Sequence, residues 1–169
     1  MAETIADTIK RLLRPTHAVN AWYAEVMALP ADEALPILLA ILPDEQQPRA
    51  ARLQAMLIVG LLRDRRAVGP LLQTLGASDP VLRARSAAAL GQVGGPEPTI
   101  VQPLIRALDD PDWKVVTAAA IGLGFLGDAR AVPGLLRLLE RPEWNIRLDA
   151  CLSLVRLGTS DPRLVAAIE

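Results

Sequence analysis

Four segments of this chain repeat one pattern: Ala34-Leu-Pro-Ile-Leu-Leu-Ala-Ile-Leu42, Ala67-Val-Gly-Pro-Leu-Leu-Gln-Thr-Leu75, Ile100-Val-Gln-Pro-Leu-Ile-Arg-Ala-Leu108 and Ala131-Val-Pro-Gly-Leu-Leu-Arg-Leu-Leu139. Their starts lie 33, 33 and 31 residues apart. A period of that length constrains the fold more than any other feature. Each unit must be one supersecondary element that cannot bury its apolar face alone and therefore stacks on its neighbours. Within each segment apolar residues recur three and four apart, which predicts a helix with one buried face. The Pro near each start belongs in the first turn, where a missing N–H leaves no helical bond unmade.

Each segment leads into a short turn and a second, longer helical stretch, about Pro48–Leu62, Pro80–Val93, Asp112–Leu126 and Glu143–Leu157. Asp79-Pro80, Asp110-Pro111 and Arg141-Pro142 mark three of the turns, and Asp before Pro supplies an N-cap with a pre-set first turn. Gly94, Gly127 and Gly158 are placed to end three of the second helices as left-handed caps. Apolar residues are 51% of the chain but aromatics only 3%, so the interior must be aliphatic, which suits packed helices rather than strands. The expected fold is all-α: an α-solenoid of about five helical hairpins wound as a right-handed superhelix. Residues 1–33 read as a degenerate first hairpin, with helices about Glu3–Arg14 and His17–Leu29 broken at Pro15. Leu13 and Val19 sit where a first repeat would put them. Repeats then occupy 34–66, 67–99, 100–130 and 131–163, and residues 164–169 begin a partial helix. That end is either a short cap or the start of something longer.

The pattern resembles HEAT repeats, in particular the short kind of phycobilisome-lyase-like proteins. The matching residues are Ala131-Val132-Pro133, the Asp-Pro turns, an Arg one place into the second helix (Arg52, Arg83, Arg147), and the endings Ala89-Leu90-Gly91 and Asp128-Ala-Arg-Ala-Val132. The resemblance covers about residues 34–163. It implies a helical scaffold and is nearly silent on activity, since one fold hosts many functions. The Asp–Arg ladder of such repeats is altered here. Asp110 is in place, but its own repeat has Val116 where Arg is usual, so Asp110 must reach Arg83 or Arg147 next door.

Catalytic signals are wanting. Gly122-Leu-Gly124-Phe-Leu-Gly127 spells a dinucleotide fingerprint, but that motif works only after a strand. Here it falls at the end of a helix, in register with Gly60 and Gly91, and reads as close packing and a cap. His17 is the single histidine, so the His-Glu iron ligands of deoxyhypusine hydroxylase, a HEAT-repeat enzyme, are absent, and nothing local places a serine near His17 for a Ser/His/Asp triad. Cys151 occupies an Ala-type core slot and reads as an inert thiol. No metal and no cofactor is expected, and the chain is read as not an enzyme. A net charge of −1 argues against nucleic acid as a partner, and arginines interleaved with acids, as in Arg63-Asp64-Arg65-Arg66, read as a solvated loop rather than the basic channel of HEAT-like DNA glycosylases. The N-terminus lacks a signal-peptide layout and no apolar run is long enough to span a bilayer, so a cytoplasmic setting is expected.

The binding signal lies on the second helices. Aligned on Ala51, Leu82, Val115 and Ile146, their third, seventh and eleventh residues are Leu53, Leu57, Leu61; Ala84, Ala88, Gln92; Thr117, Ile121, Phe125; and Leu148, Leu152, Arg156. HEAT repeats usually place charged residues at these concave positions. Eight of the twelve here are Leu, Ile or Ala, and one alone is charged. An apolar concave groove is therefore expected, with Ala84 and Ala88 as its floor, to take a protein partner such as an amphipathic helix. The mean hydropathy of +0.29 agrees with such an apolar excess. Trp113 and Trp144 are expected to pack across the turn onto the neighbouring repeat, with an exposed recognition edge as the alternative, and Trp22 to be core or cap. Leu164, Val165 and Ile168 leave an unfinished stack, which predicts a homodimer or a ragged tail. The alternative function is a bilin lyase-like chromophore-handling protein or lyase subunit, for which only Asp149 and Glu25 are acids placed near this face.

Overall fold

The computed structural model describes residues 3–14 and 19–166. Among these residues all regular structure is helical. A leading hairpin, α1 (Ile5–Leu12) and α2 (Val19–Met27), is followed by α3 (Ala31–Ile41) with α4 (Arg49–Leu62), and α5 (Val68–Leu75) with α6 (Pro80–Val93). Two more hairpins follow, α7 (Pro98–Ala107) with α8 (Trp113–Leu126) and α9 (Val132–Leu138) with α10 (Trp144–Arg156), and then a short α11 (Arg163–Ala166). The chain is thus the expected stack of hairpins. α1 and α2 are shorter than their sequence reading; Pro15 and His17 lie outside the described residues.

The helix starts differ in detail from the turn pattern. Asp79 caps α6 as expected, its carboxylate accepting the Val81 N–H at 2.8 Å with Pro80 in the first turn. At α8 the cap is Asp112, which accepts the Lys114 N–H at 2.9 Å, while Asp110 accepts the Asp112 N–H and turns both carboxylate oxygens to Arg83 of the preceding repeat. Glu143 rather than Arg141 precedes α10, with no side-chain cap. Pro70 and Pro133 stand in first turns, but Pro36 and Pro103 lie inside helices, because α3 and α7 begin further upstream, at Ala31 and Pro98.

The helix ends show a second departure. Gly127 and Gly158 adopt left-handed conformations, with φ of 72° and 70°. Gly94 does not: at φ −81° and ψ 173° it is extended, because the chain runs from α6 straight into Gly95-Pro96. At the end of α4 it is Arg63 that takes the left-handed region, with φ 51°. Arg63 and Gly127 are equivalent. Each precedes an aspartate, Asp64 or Asp128, whose carboxylate caps a 3-10 turn, Arg65–Ala67 or Ala129–Ala131. The Arg63–Arg66 cluster is an ordered turn whose three arginines are exposed, in keeping with a solvated connection between repeats.

The core is aliphatic, as the composition requires. Leu38, Leu71, Leu104 and Leu135 on the first helices and Leu90, Leu123 and Leu154 on the second are fully buried, each contributing about 2 kcal/mol. The second helices pack more closely than the first. Gly91 of α6 meets Gly122 of α8 backbone to backbone, and Gly124 of α8 abuts Ser153 of α10 so tightly that a Cβ would come within 2.9 Å of Ser153 Cα. α5 and α7, by contrast, touch only sparsely. The more closely packed layer is that of α4, α6, α8 and α10, the side expected to be concave. The glycines of the false dinucleotide fingerprint are these contacts and the α8 cap, as expected.

Polar bonds fix the stacking at both edges. On the turn edge Arg49 pairs with Asp79, and Arg83 holds Asp110 in a two-pronged bond of 2.8 and 2.9 Å. On the opposite edge Arg66 pairs with Asp32 at 2.9 Å, Arg65 with Glu97, and Arg130 donates to the Pro96 carbonyl at 2.7 Å. The arginines one place into the second helices have a common task. Arg52 donates to the Leu42 carbonyl, Arg83 to those of Ala77 and Ser78, and Arg147 to those of Arg141 and Pro142. Each thereby satisfies carbonyls left open where a first helix ends. Val116, which replaces the Arg in the third repeat, is fully buried.

Candidate binding face on the inner helices

Which side chains reach the concave surface follows from helix geometry. Residues four apart advance by about 40° around a helix of 3.6 residues per turn, so a trio spaced i, i+4, i+8 winds from one flank to another. The twelve expected residues do this. Leu53, Ala84 and Thr117, the first of each trio, lean toward the following repeat; Thr117 is buried there, and the others are half-buried. Leu148 is exposed because no inner helix covers α10 among the described residues. The seventh residues, Leu57, Ala88, Ile121 and Leu152, form a row across all four helices, half-buried except for Leu152, which is 47% exposed. Of the eleventh residues, Leu61 is half-buried and Gln92, Phe125 and Arg156 are exposed, Phe125 at 60%.

The same side of these helices also carries positions the sequence reading omitted. One turn toward the helix N-termini lie Gln54, Arg85, Ala118 and Asp149, and a further turn away lie Ala50, Val81, Lys114 and Asn145, all partly or fully exposed. The signal that would have found them is the spacing i, i+4, i+7, i+11, which stays on one side of a helix. The burial contrast between the two sides is sharp: Leu90, Leu123 and Leu154 are fully buried while Phe125 and Leu152 are open.

The charges on this face are few and mostly positive. Arg85, Lys114 and Arg156 are exposed, and none forms an ion pair among the described residues. The Arg156 guanidinium lies 4.6 Å from the centre of the Phe125 ring, and the Lys114 ammonium 5.8 Å from that of Trp113. Asp149 is half-buried; burial pushes its carboxyl above the usual range, and the positive charge of Arg156 offsets part of that. Glu25 is turned instead to Arg11, with which it is paired.

The tryptophans depart from expectation. Trp113 and Trp144 open α8 and α10 and are 49% and 68% exposed, rather than packed onto the next repeat. At the first helical position the side chain projects beyond the turn that would have covered it. Trp22 is both core and cap, half-buried with its indole N–H donated to the Leu12 carbonyl at 3.0 Å. The Cys151 thiol is buried, and burial raises its pKa. Among the described residues no cluster of His, Cys, Asp and Glu could hold a metal, and no helix is long and apolar enough to cross a membrane. Two hollows of the surface are one of about 440 Å3 between α5 and α7, lined by Leu72, Leu75 and Pro103, and one of about 370 Å3 beside α1, lined by Leu13, Pro48, Ala50 and Ala51.

Comparison with known proteins agrees with this geometry. The sequence model of HEAT repeats matches residues 35–121 and 101–169. No curated protein matches the chain. Among solved structures it is similar to CpcE and CpcF of phycocyanin lyase from Nostoc sp., with 23% identity and a TM-score of 0.72, over 97% of this chain and 68% of that one. Human deoxyhypusine hydroxylase matches with 22% identity and a TM-score of 0.62, over 73% of this chain; the chain spans 43% of that enzyme's length. A designed armadillo repeat protein in complex with the peptide (KR)4 matches with 17% identity and a TM-score of 0.63, over 90% of this chain and 81% of that one. At these identities the likeness is one of fold.

Proposed function

This chain belongs to the HEAT-repeat family, and from that premise we propose that it is a non-catalytic scaffold binding a protein segment along its concave face. The observation that carries the reading is the row Leu57, Ala88, Ile121 and Leu152 across four adjacent inner helices, with Phe125 open beside it. Aliphatic and aromatic surface left to water on the inside of a bend is what a partner's apolar side chains would cover. A designed armadillo repeat protein of the same general shape is seen holding a peptide, which supports the reading.

The test is to replace Phe125 and Leu152 together by Ser and compare the proteins retained from native extract with those held by the parent chain. Both residues are exposed, so the variant should keep its fold and lose its partner. An unchanged set of retained proteins would defeat the concave-face reading.

A second reading, a chromophore-handling role, is favoured by the likeness to phycocyanin lyase and by Asp149 on this face, whose carboxylate oxygens can accept hydrogen bonds from pyrrole N–H groups. Incubation with a bilin would then give visible absorbance that an Asp149→Ala variant lacks.

A further inference from the structure

The apolar row does not stand alone on the inner helices. Arg85 and Lys114 lie on its side toward the helix N-termini, and Arg156 on its side toward the C-termini, while Asp149 is the one acid among these positions. The excess is local, because the chain as a whole carries a net charge of −1. Several arginines off this face meet carboxylates, among them Arg49, Arg65, Arg66, Arg83 and Arg130. Among the described residues Arg85 and Lys114 meet no carboxylate and Arg156 lies over Phe125, so three cations flank the apolar row against the single acid Asp149.

Inner helices pack roughly 8–10 Å apart. Two turns of an α-helix rise about 11 Å, so residues seven apart on a partner helix fall over successive rungs of the row. The small Ala88 between Leu57 and Ile121 leaves room for a larger side chain there.

Resting on the concave-face reading, we propose that the occupant is an acidic amphipathic helix of a partner protein. Its apolar side chains, spaced three, four and seven apart, seat on Leu57, Ala88, Ile121 and Leu152. Its carboxylates reach Arg85 and Lys114 on one side and Arg156 on the other.

The experiment is selection from a random peptide library against the full chain, followed by fluorescence anisotropy with the enriched peptides. Enriched sequences should be rich in Asp and Glu with apolar residues at helical spacing. Binding should weaken about tenfold or more when Arg85, Lys114 and Arg156 are all changed to Glu, and should weaken with salt. Enrichment of basic or uncharged peptides, no enrichment, or acidic peptides indifferent to the charge reversals would overturn the proposal, as would binding of phosphatidylserine vesicles in place of peptides. Peptides that lose binding to the Phe125→Ser, Leu152→Ser variant but ignore the charge reversals would defeat the acidic occupant and leave the concave face standing. Peptides indifferent to both variants would defeat both.

Discussion

Gly91 and Gly122 meet with no side chain between them, so that a methyl group on Gly91 would overlap the Gly122 Cα and lie 3.1 Å from its carbonyl oxygen. The atoms in the way are backbone, which cannot swing aside. Gly91→Ala should therefore cost about 2 kcal/mol or more, as overpacking does in close-packed interiors. Gly69 in α5 has open space around its Cα, and Gly69→Ala should be neutral or gain up to about 1 kcal/mol. Denaturant melts of the two variants check the pair; equal melts would mean that α6 and α8 do not meet at this point.

Arg63 holds a left-handed backbone that its equivalent, Gly127, adopts without strain. Arg63→Gly should stabilise the chain by about 0.5–1 kcal/mol, the left-handed penalty less the entropy a glycine adds to the unfolded chain. A melting temperature that falls would show that the Arg63 side chain supports the turn.

The Arg83–Asp110 pair is the least exposed ion pair described, with both side chains mostly covered. Burial pushes the Asp110 carboxyl up, but bonds from Arg83 and from the Asp112 N–H outweigh it and hold it below the usual range. The folded pKa is thus lower than the unfolded one. The pair's stabilisation is present above the unfolded carboxylate pKa, near 4, and is lost as pH falls through the folded value. Asp110→Ala should cost about 2 kcal/mol at pH 7 and progressively less in acid. A cost independent of pH would count against the pair.

Asp149 has the opposite sign. Burial raises its folded pKa, so its neutral form favours folding at low pH and that contribution disappears as pH rises through the folded value. Asp149→Asn should raise the melting temperature at pH 7 and leave it unchanged near pH 3. The same substitution giving no gain at pH 7 would show that the carboxylate is solvated.

Far more of the fold than of the site was legible in the sequence. The 33-, 33- and 31-residue spacing placed α6 at its observed bounds and the other inner helices to within about a residue, because one hairpin period repeats its punctuation as well as its apolar pattern. Single positions were harder. Gly94 and Gly127 look alike in sequence, but the Gly95-Pro96 that follows the first draws the chain out extended, while Asp128 after the second closes a 3-10 turn. Spacing by fours drifts around the helix, so the twelve candidate residues leave out Arg85 and Lys114, which a spacing of three, four and seven puts on the side of Ala88 and Ile121. The exposure of Trp113 and Trp144 had no sequence signal, as the same periodicity describes a tryptophan folded over a turn and one standing clear of it.

The contrast between the two layers has a mechanical result. With α6 and α8 joined at backbone contact and α5 and α7 barely touching, the stack resembles a hand-held fan pinned along its inner edge. Bending should therefore open and close the outer sticks more readily than it changes the distance between Ala88 and Ile121, a pitch set by glycine.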